Sequence, residues 1–375
     1  MSNQDSTAEE EALRKKQKPA EVADVAGVLL RGWGLTLELV AGQTKPKMLE
    51  SYDDRNYLVK DASSGNLYTM KIHNGVESSH GGILDAQNRM MHFLHEKGVC
   101  CPVPQKTVSG SLVHRELLEV ADGSKIELAV RLLSWVHGQT MQSAVVTPGL
   151  LLRAGAFLGS VDAALDSDGG FDHEAVHRPH CWDMANTASI RPFTHHVKDP
   201  RIRALVEKTV DTFESDVVPD LPQMRGGVLV ADFNDANVIV KASQSPGTGG
   251  LDISGVIDFG DVVYSRRVFD VAVAMAYATI SAYGKLGRGL ASAALLLRGF
   301  CSKYPLTAVE IKHLRVLTAC RLVGDCTLCR WCEIGERTTT SRAVTVAGHQ
   351  HYVRGAVSGR RARKRVPEHA RETCK

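Results

Sequence analysis

No run of about 18 apolar residues occurs in this chain, so no membrane-spanning helix is expected. The charged N-terminal stretch MSNQDSTAEEEALRKKQK has no apolar centre, so no secretory signal is expected either. There is no N-x-[ST] acceptor site. The nine cysteines are an odd number without framework spacing, which predicts free thiols in a reducing, cytoplasmic setting. Charge of one sign is also scarce: the net charge is only +3, and nothing points to nucleic acid as a partner. The basic run Arg360–Arg365 sits in a polar tail and is expected to be solvated. A Walker A sequence and a G-x-G-x-x-G are both missing, which leaves a P-loop NTPase and a Rossmann dehydrogenase without support.

What is present is enough apolar residue, 43% of 375, to build two lobes. Residues 1–18 read as disordered, 19–135 as a first lobe, 136–337 as a second, and 338–375 as a poorly patterned basic tail. In the first lobe, Pro19 opens a predicted helix that stops at the glycines of LLRGWG. LTLELV, Asn56–Lys60, Leu67–Ile72, Leu112–Leu118 and Ile126–Leu133 read as strands, and residues 81–97 as a helix. The expectation is an α+β chain: a small, mostly antiparallel sheet with a helix on it, then a larger helical part. The linker LSWVHGQ (Leu133–Gln139) joins the two. Helices are expected at Thr147–Leu165, Arg201–Val217, Phe269–Tyr283, Gly289–Lys303 and Ala308–Ile334.

One β-insertion, Val228–Tyr264, carries the chemistry. VLVADFNDANVIV reads as strand, polar loop, strand, with Asp232 and Asn237 five positions apart in the loop. GVIDFGDVVY sets Asp258 just beyond another β-type run. Two carboxylates and a carboxamide at strand ends suit phosphoryl transfer. One carboxylate can take the proton of an attacking hydroxyl, and the Asn oxygen and the second carboxylate can hold Mg²⁺. Lys71, mid-strand in LYTMKI, is either an edge residue with its amine in water or a phosphate ligand. The downstream set favours the phosphate role. Asp85, near the start of the 81–97 helix, could reach back to it. Asp235 and Asp261 are close enough in sequence to line the same cleft, a plain turn or cap role being an equal expectation for each.

Three other patterns carry less. HEAVH (His173–His177) matches H-E-x-x-H, but Gly169, Gly170 and Pro179 leave no room for the helix a zinc site needs. Cys326, Cys329 and Cys332 lie in an apolar, helix-like run without loop glycines. Asp166–Asp172 lacks the ligands that complete a calcium loop.

SYDDRNYLVK, YTMKIHN, ILDAQNRMMHFL, AVRLLSWVHGQ, LVADFNDANVIV and GVIDFGDVVYSRRVFDVAVAMAY occur in one order. Together they resemble the aminoglycoside phosphotransferase-like superfamily, most closely its hydroxylysine kinase branch. The resemblance implies a two-lobed, protein-kinase-like fold. It implies Asp232 as catalytic base, Asn237 and Asp258 as Mg²⁺ ligands, and Lys71, held by Asp85, on the nucleotide phosphates. The turn at Ser51 would stand in for a glycine-rich loop, and Leu133–Trp135 would hold the purine. Trp182 matches a family aromatic and would face the acceptor, a core role being the default alternative. The implied reaction moves the γ-phosphate of GTP to the hydroxyl of 5-hydroxy-L-lysine, with no obligate protein partner. The sequence departs from the family at Val230-Ala231, where His-Gly is usual, and at Asp85, where Glu is usual. Another amino alcohol as acceptor, or a nucleotide-binding pseudokinase, are the alternatives.

Overall fold

The computed structural model describes residues 12–39, 43–243, 250–281 and 289–333. The basic tail, residues 1–11 and most of the KASQSPGTGG loop lie outside the described residues. So do the side chains of Cys326, Cys329 and Cys332, although the helix backbone runs through them.

The charge-rich start predicts disorder through residue 18. Residues 12–16 instead form a helical turn, because Arg14 finds two carboxylates, Asp53 at 3.1 Å and Glu77 at 3.2 Å. Helix α1 (Val25–Trp33) begins later than Pro19 suggests. Asp24 caps it by accepting from Gly27 N, and Gly34, at φ 68°, ends it. Pro19 is extended and bridges to Val120.

The first sheet comprises β1 (Leu37–Glu38), β2 (Lys47–Leu49), β3 (Arg55–Asp61) and β4 (Leu67–Ile72), followed after two helices by β5 (His114–Glu119) and β6 (Lys125–Ser134). All pairings are antiparallel, in the order β1-β3-β4-β6-β5, with β2 also on β3. β2 was not legible: its three residues are mostly exposed and carry no alternation. Residues 57, 59 and 61 of β3 are buried and their neighbours are not, the period-2 pattern of a half-buried strand. One face packs Tyr57, Val59, Met70, Ile72, Leu128 and Val130 against Val25, Leu29 and Trp33 of α1.

The two helices are α2 (Gly75–Ser79) and α3 (Gly81–Glu96). Met90, Met91 and Leu94 of α3 join the large second core rather than the sheet's own. That core therefore runs between the two halves, through Leu133 at the end of β6.

The second half holds β7 (Gln139–Thr140), α4 (Pro148–Leu165), α5 (Pro200–Thr212), four strands and three further helices. The strands are β8 (Gly226–Leu229), β9 (Val238–Ala242), β10 (Leu251–Val256) and β11 (Val263–Arg266). The helices are α6 (Val268–Ser281), α7 (Gly289–Cys301) and α8 (Ala308–Glu333). By length and composition α4 could cross a membrane, which the sequence reading did not anticipate. Here it is a core helix: Leu150, Leu151, Leu158 and Val161 are fully buried. Its backbone lies directly against α7. A Cβ on Gly155 would sit 1.9 Å from the Leu296 carbonyl, and one on Gly299 2.0 Å from that of Leu152. Only glycine permits that approach.

The strands that flank the Asp232–Asn237 loop do not pair with each other. β8 pairs with β11, and β9 pairs with β10 and β7, all antiparallel. The β9–β10 pair is nested in sequence inside the β8–β11 pair. Two connections, residues 230–237 and 257–262, link the outer pair to the inner one. Ile257 N donates to Asn237 O at 2.8 Å and ties them together. This nesting brings Asp232, Asn237 and Asp258 to one place.

Candidate active site

The 230–237 loop is built from its own side chains. Asn234 Oδ1 accepts from Ala236 N at 2.8 Å and Asn237 N at 3.1 Å, an Asx turn that fixes the bend. Asn234 Nδ2 and Asn237 Nδ2 both donate to Asp232 Oδ2, at 2.7 and 2.8 Å. Asn237 Nδ2 also donates to the Asp232 carbonyl at 3.1 Å. With both amide hydrogens used, Asn237 presents its oxygen as the remaining group. Asp232 Oδ1 accepts from Arg321 Nη2 at 3.2 Å. Burial pushes the Asp232 carboxyl above its ordinary range, against the pull of Arg321.

Ala231 holds φ 63°, a left-handed conformation unusual for alanine. Asp270 explains how it is held. This buried carboxylate of α6 accepts from Val230 N at 3.0 Å and Ala231 N at 2.6 Å. Behind it lies Asp162 of α4, fully buried, its oxygens without other hydrogen-bond partners among the described residues. Burial raises both carboxyls, Asp270 to about 6 and Asp162 well above the usual value. Burial and their shared negative charge disfavour ionisation of both carboxyls at once.

Asp258 also sits at positive φ, 61°, which turns its side chain back toward Lys71. Its Oδ1 accepts from Lys71 Nζ at 3.2 Å and Gly260 N at 3.1 Å. The Lys71 charge holds the Asp258 carboxyl below the ordinary range. Lys71 lies on β4 opposite Asn56 and Arg131 and is buried. Burial alone would lower its pKa, but the charges of Asp258, Asp54 and Glu77 outweigh that and raise it, so the ammonium stays charged.

Asp85 is not the partner of Lys71. Its carboxylate pairs with Arg89 at 2.8 Å, one turn along α3, and with His173 at 3.3 Å. The short helix α2 comes between, and it carries Glu77. The direct partner is Asp54 of the SYDDRN turn, 3.0 Å from Lys71 Nζ. Asp54 Oδ1 also accepts from Asn74 N and Nδ2, at 3.0 and 3.1 Å. Arg131 Nε donates to His73 Nε2 at 2.9 Å, so the proton of His73 is on Nδ1, directed at Glu77 2.8 Å away.

Of these groups, Asp54, Lys71, Glu77, Asp232, Asp258 and Arg321 line one cavity of about 290 Å³, whereas Asn237 and Asp85 lie outside that lining. Eight carboxylates face it (Glu50, Asp53, Asp54, Glu77, Asp232, Asp258, Asp261 and Asp325) against three cations (Arg14, Lys71 and Arg321). So acidic a cleft favours cationic occupants. Asn237 and Asp258 carry hard oxygen donors of the kind Mg²⁺ takes, on two connections tied by Ile257 N to Asn237 O.

Of the remaining sequence candidates, Ser51, Trp182 and Asp261 line the cavity. Burial, then the Asp232 charge, lifts Asp261 to about 8. Asp235 does not line it; Ser281 donates to its carboxylate, so it ties the loop to α6. Leu133 and Trp135 lie outside the lining too, at the end of β6, where Leu133 faces Thr69 and Trp135 N donates to Leu67 O. HEAVH holds no long helix: His173 caps the 3₁₀ turn Glu174–Val176, and His177 pairs with Asp172 and stacks on Tyr264. Arg14, Asp54, Asp270, Tyr277, Arg321 and Asp325 went unread. Three left a signal: Asp270 is the one charge in VFDVAVAMAYATI, and Arg321 and Asp325 are opposite charges one turn apart in the mostly apolar run LTACRLVGDCTLC.

The antiparallel sheet, the helical remainder and the tied Asp–Asn and Asp loops are those of a kinase-like phosphotransferase. The chain belongs to the phosphotransferase enzyme family, whose profile matches residues 47–301. It is 30% identical over 294 residues to the hydroxylysine kinase of Xenopus laevis, covering 76% of this chain and 77% of that protein. It is 27% identical over 319 residues to the hydroxylysine kinase of Danio rerio, covering 84% and 86%. Its fold is similar to a solved amicoumacin kinase in complex with AMP-PNP, Ca²⁺ and Ami, with a TM-score of 0.64 at 14% identity over 92% of this chain and 96% of that one. The protein is thus a small-molecule kinase acting on an alcohol group.

Proposed function

We propose that this kinase transfers the γ-phosphate of GTP to the hydroxyl of 5-hydroxy-L-lysine, giving 5-phosphohydroxylysine and GDP. The observation that carries the reading is the single acidic cavity joining Lys71 and Asp258 to Asp232. The hydroxylysine kinases among its relatives support the acceptor. An acceptor with two ammonium groups matches the excess of carboxylates.

Asp232 orients the hydroxyl and takes its proton as the phosphoryl group moves. Its raised pKa brings it nearer the range a general base needs. Lys71, kept charged by Asp54 and Asp258, meets the phosphates. Ser51 and the rest of the SYDDRN turn cover them, and Leu133–Trp135 borders the purine. Asn237 and Asp258 would hold Mg²⁺, which neutralises charge on the phosphates when bound. Asp261 and Trp182 face the acceptor. We place the reaction in the cytoplasm, with the cysteines as free thiols.

The test is GDP release with Mg²⁺ and GTP, with and without 5-hydroxy-L-lysine, lysine being the control and ATP the alternative donor. Asp232→Asn is expected to bind GTP normally and to lose about two or more orders of magnitude in turnover. Wild-type protein that binds GTP but releases no more GDP with hydroxylysine than with lysine would remove this acceptor.

A further inference from the structure

Arg321 has no part in the reaction as described, and its surroundings are unusual. It lies on α8, is 6% exposed, and lines the active-site cavity. Nη2 donates to Asp232 Oδ1 at 3.2 Å and to the Tyr277 hydroxyl at 3.0 Å. Nε lies 3.2 Å from Asp325 Oδ1, one helical turn on. The guanidinium carbon is 5.0 Å from the centre of the Trp182 ring and 5.4 Å from that of Tyr277. Nη1 is buried and has no hydrogen-bond partner among the described residues. A buried guanidinium edge without an acceptor is costly unless a ligand completes it.

The chemistry that completes it is a carboxylate, which matches the planar donors of arginine. Asp325, of opposite charge beside it, matches an α-ammonium group. The pair is complementary to the zwitterionic head of an α-amino acid. It lies next to Asp232, where the reacting hydroxyl belongs. A carboxylate on Nη1 and a hydroxyl on Asp232 would be separated by about 5–7 Å, which C1 to C5 of an extended amino acid spans.

We infer that Arg321 is the residue that binds the acceptor's α-carboxylate, with Asp325 on the α-ammonium and the Trp182 and Tyr277 rings holding the guanidinium between them. The inference rests on the reading of the acceptor as hydroxylysine. It makes the enzyme select amino acids over amino alcohols that lack a carboxylate.

The experiment compares kcat/KM for 5-hydroxy-L-lysine and its decarboxylated counterpart, 1,5-diaminopentan-2-ol, in wild type, Arg321→Lys and Arg321→Gln. Wild type should prefer the amino acid by about 100-fold or more, Arg321→Lys by about 10-fold, and Arg321→Gln by less than about 3-fold. Arg321 also touches Asp232, so a general loss of kcat is expected in the Gln variant. Only the ratio between acceptors reports the carboxylate. If Arg321→Gln slows both acceptors equally and keeps the wild-type ratio, Arg321 acts through Asp232 alone and the inference is overturned.

A second measurement needs no variant and no turnover. With GTP and Mg²⁺ present, wild type should bind lysine about 30-fold or more tightly than 1,5-diaminopentane in calorimetry. Equal affinities overturn the carboxylate site. A wild type that fails to phosphorylate hydroxylysine but still prefers lysine would refute the proposed acceptor and support the Arg321 site.

Discussion

The floor and the roof of the active site are held by different forces. On the floor, the 230–237 loop hangs from backbone groups: two N–H donors on the Asp270 carboxylate, an Asx turn at Asn234, and the tie from Ile257 to Asn237. Val228, Leu229 and Val230 are fully buried beneath it. On the roof, the SYDDRN turn is held by charged side chains: Asp54 on Lys71, and Asp53 and Glu77 on Arg14. The floor positions the group that reacts, so it is rigid. The roof covers a charged ligand, so it is made of groups that can exchange partners with that ligand.

The largest effect should come from cutting the floor. Asp270→Ala leaves two buried N–H groups without an acceptor, which costs about 3 kcal/mol. It also frees the Asp232 loop, and turnover should fall by about 100-fold or more. Asp270→Asn keeps one acceptor oxygen and should lie between. Urea denaturation and single-turnover kinetics check both. A stable, active Asp270→Ala protein would mean that the loop does not depend on this carboxylate.

Next comes the roof. Asp54→Asn keeps the hydrogen bonds to Asn74 but removes the closest charge on Lys71. With Asp258 still in place, KM for GTP should rise by about 10-fold while KM for the acceptor moves little. The fold should be hardly affected. A loss of stability as large as that of Asp270→Ala would erase the distinction between floor and roof.

Much of this was legible in the sequence. Asp232, Asn237 and Asp258 stand in the loops at strand ends, and Lys71 is a lone charge among apolar neighbours within β4, so chain order and side-chain chemistry coincide. The partners were harder, because they are set by topology. Asp85 and Glu77 are both acids near the start of a helix after Lys71. Only the break at His80, which separates α2 from α3, decides which one faces the sheet. Asp235 and Asp232 are three residues apart, yet the Asx turn sends one to Ser281 and the other into the cavity. The nesting of β9–β10 within β8–β11 cannot be read from residue pattern at all, since each strand alone would pair as well with its neighbour.

Roof and floor should both respond to pH, Asp53 reporting on the roof and Asp261, on the connection tied to the floor, on the other side of the cavity. Asp53 is lifted to about 7 by burial and by the Asp54 and Glu77 charges, and Asp261 to about 8. Their folded values lie above the unfolded one, so the folded protein binds more protons and stability falls as pH rises through 7 and 8. His180, pushed down to about 3 by burial, has the opposite sense, but its effect is confined to pH below about 6.5. Between pH 6.5 and 8.5 the denaturation midpoint should therefore decline, and Asp53→Asn and Asp261→Asn should each flatten it. A midpoint that rises across that window would reverse the sign of the argument.

The smallest effect is expected at Ala231, where the resemblance read from the sequence leads one to expect glycine. Its φ of 63° costs alanine about 1–2 kcal/mol that glycine would not incur. Ala231→Gly removes that strain. It also uncovers a buried methyl, worth about 0.8 kcal/mol, and loosens the unfolded chain by about 0.4–1 kcal/mol. The three terms nearly cancel, so stability should shift by less than about 1 kcal/mol. Asp270 binds the N–H of residue 231 whichever residue stands there, so the loop keeps its shape and turnover should stay within about threefold. A tenfold rise in turnover for Ala231→Gly would show that the methyl distorts the floor, and that Asp270 alone does not make it rigid.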